Sequence, residues 1–133
     1  KMKLEQVNLR EAADRMPSEI SGGMKKRAGL ARAIVMDPEL LFCDEPSAGL
    51  DPVTAAEIDQ LVLDLTRKLG TTSVVVTHEM HSAFTIADRM VMLDQGKVLK
   101  VGARSEFEAL RDGSEPADSA TAREISISRR RWP

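Results

Sequence analysis

The sequence predicts an α/β fold, mainly parallel strands with crossover helices, followed by a hairpin near the carboxyl end. Three observations carry this. Two short apolar runs, "LLFC" at 40–43 and "SVVV" at 73–76, read as buried strands. A segment of helical periodicity lies between them, which is the strand–helix–strand pattern of a parallel sheet. Both runs end in polar chemistry, Asp44 and Glu45 after the first, Thr77 and His78 after the second. In parallel sheets ligands gather at those carboxyl ends.

The elements follow in order. Leu4, Val7, Ala12 and Met16 predict an imperfect amphipathic helix ended by Pro17. Ser21 is placed to cap a second helix reaching about Met36, with Leu30, Ile34 and Val35 as apolar anchors. Asp37-Pro38 breaks it, and "ELLFCDE" then suits a buried parallel strand, although length alone leaves a helix open. "PSAGLDP" is a turn-rich loop in which Asp51 and Pro52 form an N-cap and first-turn pair. The helix that follows carries Ile58, Leu61, Val62, Leu65 and Leu69 on one stripe, and Gly70 stops it. "TSVVVT" at 72–77 is a second β-branched strand, and residues 80–88 read as helical. "RMVMLDQGKVLKVG" reads as a hairpin around Asp94-Gln95-Gly96, and residues 105–111 as a short helix. From Asp112 the chain is polar and "SEPADSATA" is not expected to pack, while Ile125 and Ile127 alternate before three arginines and the single tryptophan. That tail is either a disordered end or a strand that docks on a partner subunit.

Composition narrows the function classes. The 133 residues fit one domain at most, 42% are hydrophobic and 30% charged. A net charge of -2 gives no global pull toward nucleic acid or an anionic membrane. One cysteine excludes an internal disulfide framework. No apolar run reaches the roughly 18 residues of a membrane span.

Three constellations carry chemistry. Asp44 and Glu45 leave a strand in different directions, so one can hold a metal through water while the other polarises a nucleophilic water; the alternative is a solvated charge pair. His78 at the second strand end can orient a phosphate oxygen or a water, or serve as a structural histidine. "HEMH" does not make a zinc site, because its histidines are three apart where the helical motif needs four, and His81 is a helix-surface residue. The third constellation is "SGGMKKRAGLARAI" at 21–34. With Ser21 as cap, the amides of Gly22, Gly23 and Met24 face outward at the positive end of the helix dipole, a ready anion site. Lys25, Lys26 and Arg27 add positive charge to that turn; a solvated basic face is the alternative. The phosphate loop G-x-x-x-x-G-K-[ST] does not occur.

The order "SGGM", "LLFCDEP", "SAGLD", "VTHE" resembles the nucleotide-binding subunit of ATP-binding-cassette (ABC) transporters, over about Ser18 to Gly102. The resemblance implies a partial P-loop NTPase fold of the ABC type, with ATP and Mg²⁺ as cofactors. It implies that Ser21, Gly22, Gly23 and Met24 form the signature that touches ATP held by the opposite subunit. Asp44 becomes the Walker B aspartate that holds Mg²⁺, Glu45 the catalytic glutamate beside the attacking water, and His78 the switch histidine at the γ-phosphate. Ser47 to Asp51 become the D-loop across the dimer interface. Two positions depart from the usual signature: Ile20 stands for leucine and Met24 for glutamine. "SGGMKKRAGLARAI" with "DPELLFCDEP" looks most like the Mla or Mce-associated lipid-transport branch. On this resemblance residues 1–36 end the helical subdomain, 37–111 form the carboxy-terminal part of the ATPase core and 112–133 are a polar tail. The chain is then the later part of a longer subunit, without Walker A or Q-loop, and inactive alone. Implied partners are a second ATPase subunit, transmembrane permease subunits and an accessory subunit on the tail, with no nucleic acid. The implied location is peripheral, on the cytoplasmic face of the inner membrane. Two other readings stand beside it: a partner-binding module without catalysis, and a chromosome ATPase of the structural-maintenance type, which the absence of upstream heptads disfavours.

Overall fold

A computed structural model describes residues 1–112 and 123–128. It is an α/β structure built on one five-stranded sheet. The strands are β1 (Leu40–Asp44), β2 (Thr72–Thr77), β3 (Arg89–Asp94), β4 (Lys97–Ala103) and β5 (Arg123–Ser128), in the order β1-β2-β5-β3-β4. β1 and β2 pair in parallel, Leu40 opposite Thr72 through Asp44 opposite Val76. β5 runs antiparallel to both β2 and β3, so β1, β2 and β3 share one direction although β2 and β3 never touch. β3 and β4 form the expected hairpin, closed by Asp94 and Lys97. Its two loop residues, Gln95 and Gly96, have φ of 47° and 75°, the left-handed pair that matches strand twist in a two-residue turn.

Helix α3 (Pro52–Leu69) connects β1 to β2. The Asp51 side chain caps it, proline opens it, and Gly70 ends it at φ 63°. Ile58, Leu61, Val62 and Leu65 are buried, each contributing about 1.5–3 kcal/mol by leaving water. They pack with Leu30 and Ile34 of α2 (Gly22–Ala33), with Val7, and with Leu41, Cys43 and Val75 of the sheet. Helix α4 (Met80–Ile86) crosses from β2 to β3, and its Ala83 and Phe84 join Met90 and Phe107 in a second cluster under α5 (Arg104–Asp112).

Four expectations are corrected. The opening segment is not one helix to Pro17: α1 (Met2–Gln6) stops where Asn8 takes φ 55°, and a 3₁₀ turn follows at Arg10–Ala12. The left-handed Asn8 lets Leu9 turn inward and bury, which a continuous helix would not allow. α2 ends at Ala33, so Ile34 is buried but Val35 is 54% exposed and anchors nothing. β1 is not buried on both faces. Among the described residues it is one of two edge strands, its burial alternates, and Phe42 is 71% exposed. Finally, Arg123–Ser128 is neither an unstructured end nor a strand for another subunit: β5 spends both of its backbone edges inside its own sheet. The stretch "SEPADSATA" and the terminal "RRRWP" lie outside the described residues.

Candidate functional site

The β1–β2 register sets the first half of the site. Because the two strands run in parallel and end together, Asp44 lies opposite Val76 and the chain leaves both strands at the same edge. The Glu45 N–H donates to the Val76 carbonyl at 2.8 Å, extending the ladder by one residue. Glu45 then turns at φ 47°. Two residues beyond Val76, His78 meets it: His78 Nδ1 and Glu45 Oε1 are 2.7 Å apart. With the carboxylate ionised, Nδ1–H is the donor, and Nε2 lies 3.6 Å from Glu79 Oε1. The Glu45 side chain is 26% exposed and that of His78 59%, so a water can reach the pair. Asp44 is exposed and its carboxylate makes no hydrogen bond or ion pair among the described residues. His81 is exposed on α4, as a helix-surface residue should be.

The start of α2 is the second half. Ser21 is its N-cap, and its hydroxyl accepts from the Met24 N–H at 3.2 Å. That corrects the anion site expected from sequence. The Met24 amide is already used, which leaves those of Gly22 and Gly23 as the first-turn donors without an intrahelical partner. Gly23 is buried, and a Cβ there would fall 2.7 Å from Thr54 Cγ2 of α3. One of Gly22 would sit 3.4 Å from Leu50 Cδ2. The second glycine therefore serves contact between helices inside the chain. The cations divide as well. Lys25 is exposed, Arg27 pairs with Glu57 at 2.8 Å and also donates to the Val7 carbonyl at 3.4 Å, and Lys26 donates to the Glu45 carbonyl at 2.9 Å.

The loop between β1 and α3 joins the two halves. Gly49 takes φ 77°, a conformation that favours glycine, and buried Ser47 meets Ser82 of α4 through their hydroxyls at 3.5 Å. The Asp51 carboxylate accepts from the Thr54 hydroxyl at 2.6 Å and from the N–H groups of Thr54 and Val53 at 3.0 and 3.1 Å. The Thr54 hydroxyl, first among these, lowers the Asp51 pKa below its ordinary value. The structure thus brings Glu45 and His78 together directly, keeps Asp44 beside them, and gives Asp51 to helix capping. A cleft of about 520 Å³ between Glu5, Arg10, Arg15 and Met24 lies off this chemistry and shares Met24 alone with it. Sequence reasoning placed Lys26 among the cations of this turn but missed its contact with Glu45, because no local pattern marks a contact spanning 19 positions.

The chain is similar to known proteins in both sequence and fold. Residues 1–48 match the ABC transporter family. The chain is 51% identical over 100 residues to the methionine import ATP-binding protein MetN 2 of Rhodopseudomonas palustris, covering 75% of this chain and 26% of that protein. It is 45% identical over 114 residues to the probable ribonucleotide transport ATP-binding protein mkl of Mycobacterium leprae, covering 86% of this chain and 32% of that one. The chain thus spans between a quarter and a third of the length of these relatives. Among solved structures it matches the ATP-binding cassette MJ0796, a dimer in a post-hydrolysis state bound to ADP and Pi. The TM-score is 0.66 at 32% identity, over 77% of this chain and 44% of that one. In sequence and fold the chain is similar to a part of the ATP-binding cassettes of ABC transporters.

Proposed function

We propose that the chain supplies the later half of the catalytic core of an ATP-hydrolysing ABC transporter subunit. The observation that supports this best is the 2.7 Å contact between Glu45 and His78 at the carboxyl ends of two adjacent parallel strands, with Asp44 next to them. In this reading Glu45 accepts a proton from the attacking water, and His78 holds that carboxylate in place through Nδ1–H and would orient a γ-phosphate oxygen when Nε2 also carries a proton. Such general-base assistance is typically worth about 10²–10⁴-fold. Asp44 would hold Mg²⁺ through water. Its exposed, unpartnered carboxylate fits, since Mg²⁺ is usually taken by one or two carboxylates plus phosphates and retained waters. No cluster of three or more ligating side chains occurs among the described residues, consistent with an ion held mostly by waters and nucleotide. Bound ATP and its metal bring the transferable phosphoryl group and neutralise charge as it develops.

The amides of Gly22 and Gly23, with Ser21 behind them, would face ATP held by a second ATPase subunit, and closure of that dimer would assemble the electrostatic clamp. The dimeric cassette with ADP and Pi among the structural relatives supports such an arrangement. Transmembrane permease subunits would complete the transporter, placing this chain peripherally at the cytoplasmic face of the inner membrane. No helix among the described residues is long and apolar enough to cross a membrane itself. The cargo we propose is a phospholipid, on the likeness of "SGGMKKRAGLARAI" and "DPELLFCDEP" to the Mla and Mce-associated branch. The names of the two relatives point instead to methionine import and ribonucleotide transport, and other chains decide the cargo.

The test is Glu45→Gln in the full-length subunit. Turnover should fall by about 10²-fold or more while ATP binding persists. Unchanged turnover sinks the assignment.

A further inference from the structure

We propose that Lys26 is a positioning residue: its ammonium holds Glu45 in the left-handed backbone conformation that aims the carboxylate at His78. Glu45 is a non-glycine residue at φ 47°, and Pro46 follows it, where an extended backbone is favoured. Such a conformation persists only when its surroundings over-determine it. Here both peptide groups of the residue are pinned. The N–H is tied to Val76 of β2 at 2.8 Å. The carbonyl accepts from Lys26 Nζ at 2.9 Å and more loosely from the Ala48 N–H at 3.3 Å. The lysine contact is the shorter and charge-assisted one. Lys26 is half-buried with its ammonium on this carbonyl, while its neighbour Lys25 is exposed. Were Glu45 to relax to an extended φ, its carbonyl would swing off Lys26 and its side chain would leave the 2.7 Å contact with His78. Lys26 also belongs to the helix whose first turn carries Ser21, Gly22 and Gly23. A shift of that helix therefore reaches the Glu45 carboxylate through one ammonium–carbonyl contact.

This inference rests on the reading of Glu45 as the general base, and its test separates the two. In the 133-residue chain, the ¹³Cα and ¹³Cβ shifts of Glu45 report its backbone conformation. Lys26→Met and Lys26→Gln should move them away from left-handed values, and Lys26→Arg, which keeps a charged donor, should not. In the full-length subunit Lys26→Met should lower kcat by about 10- to 100-fold with KM for ATP unchanged, as expected of a displaced catalytic group. Lys26→Arg should recover most of it. Unchanged Glu45 shifts in both neutral variants overturn the proposal whatever the turnover. A loss of stability with kcat intact overturns it too, since that is a structural role alone. Glu45→Gln run alongside judges the general-base reading by itself: if that variant turns over normally, the functional reading fails while the Glu45 shifts still judge the Lys26 contact.

Discussion

Gly23→Ala should destabilise the protein, although alanine is the better helix former. The gain in intrinsic propensity at a helix interior is about 0.8–1 kcal/mol. Against it, the new Cβ would lie 2.7 Å from Thr54 Cγ2, nearer than real contacts allow. The threonine methyl cannot step aside cheaply. Its χ1 is fixed by β-branching, and the hydroxyl on the same carbon is held by Asp51 at 2.6 Å. Either the helices separate or the rotamer turns and the hydroxyl bond breaks. Overpacking of this kind costs about 1–3 kcal/mol, with a further 0.5–1.5 kcal/mol or so if the hydrogen bond is lost. The net expectation is a loss of about 1–2 kcal/mol, read as a fall in the urea midpoint of roughly 0.5–1 M. Thr54→Ser removes the offending methyl and keeps the hydroxyl. The double variant should then recover most of the loss, giving a coupling of about 1 kcal/mol in a double-mutant cycle. If Gly23→Ala matches or exceeds the parent in stability, the packing account of this glycine is wrong. If Thr54→Ser fails to rescue it, the clash lies elsewhere.

Other expectations follow from the same geometry. Asp51 has a lowered pKa, so its capping contribution is present above the unfolded carboxylate pKa and is lost as pH falls through the lower folded value. Asp51→Ala should therefore reduce stability at neutral pH and the difference should shrink in an acid titration below about pH 4; a constant difference across that range would contradict it. Burial raises the Cys43 pKa from 9.0 to about 11, so near pH 8 the folded thiol should alkylate about 100-fold more slowly than in urea, compared by iodoacetamide labelling. The same shift makes the folded state lose stability as pH rises from about 9 through 11, because the unfolded thiol releases its proton first. Leu65→Ala, at a residue 1% exposed, should cost about 2–5 kcal/mol in chemical denaturation; a smaller loss would mean that the α3–sheet layer collapses around the gap.

What the sequence disclosed follows from how local each signal is. Asp51, Pro52 and Gly70 marked both ends of α3, and the structure places the helix between them. Asp-Gln-Gly marked the hairpin turn for the same reason: cap and turn residues act on their own neighbours. Strand β2 was legible from β-branching, and the carboxyl-end chemistry from its position after two apolar runs. What failed depends on distant parts of the chain. The apolar residues of β1 could not say which of its faces the helices would cover, and Phe42 is exposed among the described residues. Ile125 and Ile127 hinted at a strand but not at its seat between β2 and β3, which is a pairing across about fifty residues of sequence. Glycines 22 and 23 looked alike, and only the approach of Thr54 separates them. Lys26 looked like one of three surface cations until Glu45 arrived beside it.

The place of β5 bears on how such a chain comes into being. Until Arg123–Ser128 docks during folding, the other four strands stand in two pairs. At that moment β1 with β2 forms one ribbon and β3 with β4 another, and the facing sides of Thr72–Thr77 and Arg89–Asp94 offer unsatisfied amides and carbonyls to any passing strand. β5 is the strand that joins the two ribbons into a single sheet. Removal of Arg123–Ser128 should accordingly leave both ribbons with open edges and turn the chain toward aggregation.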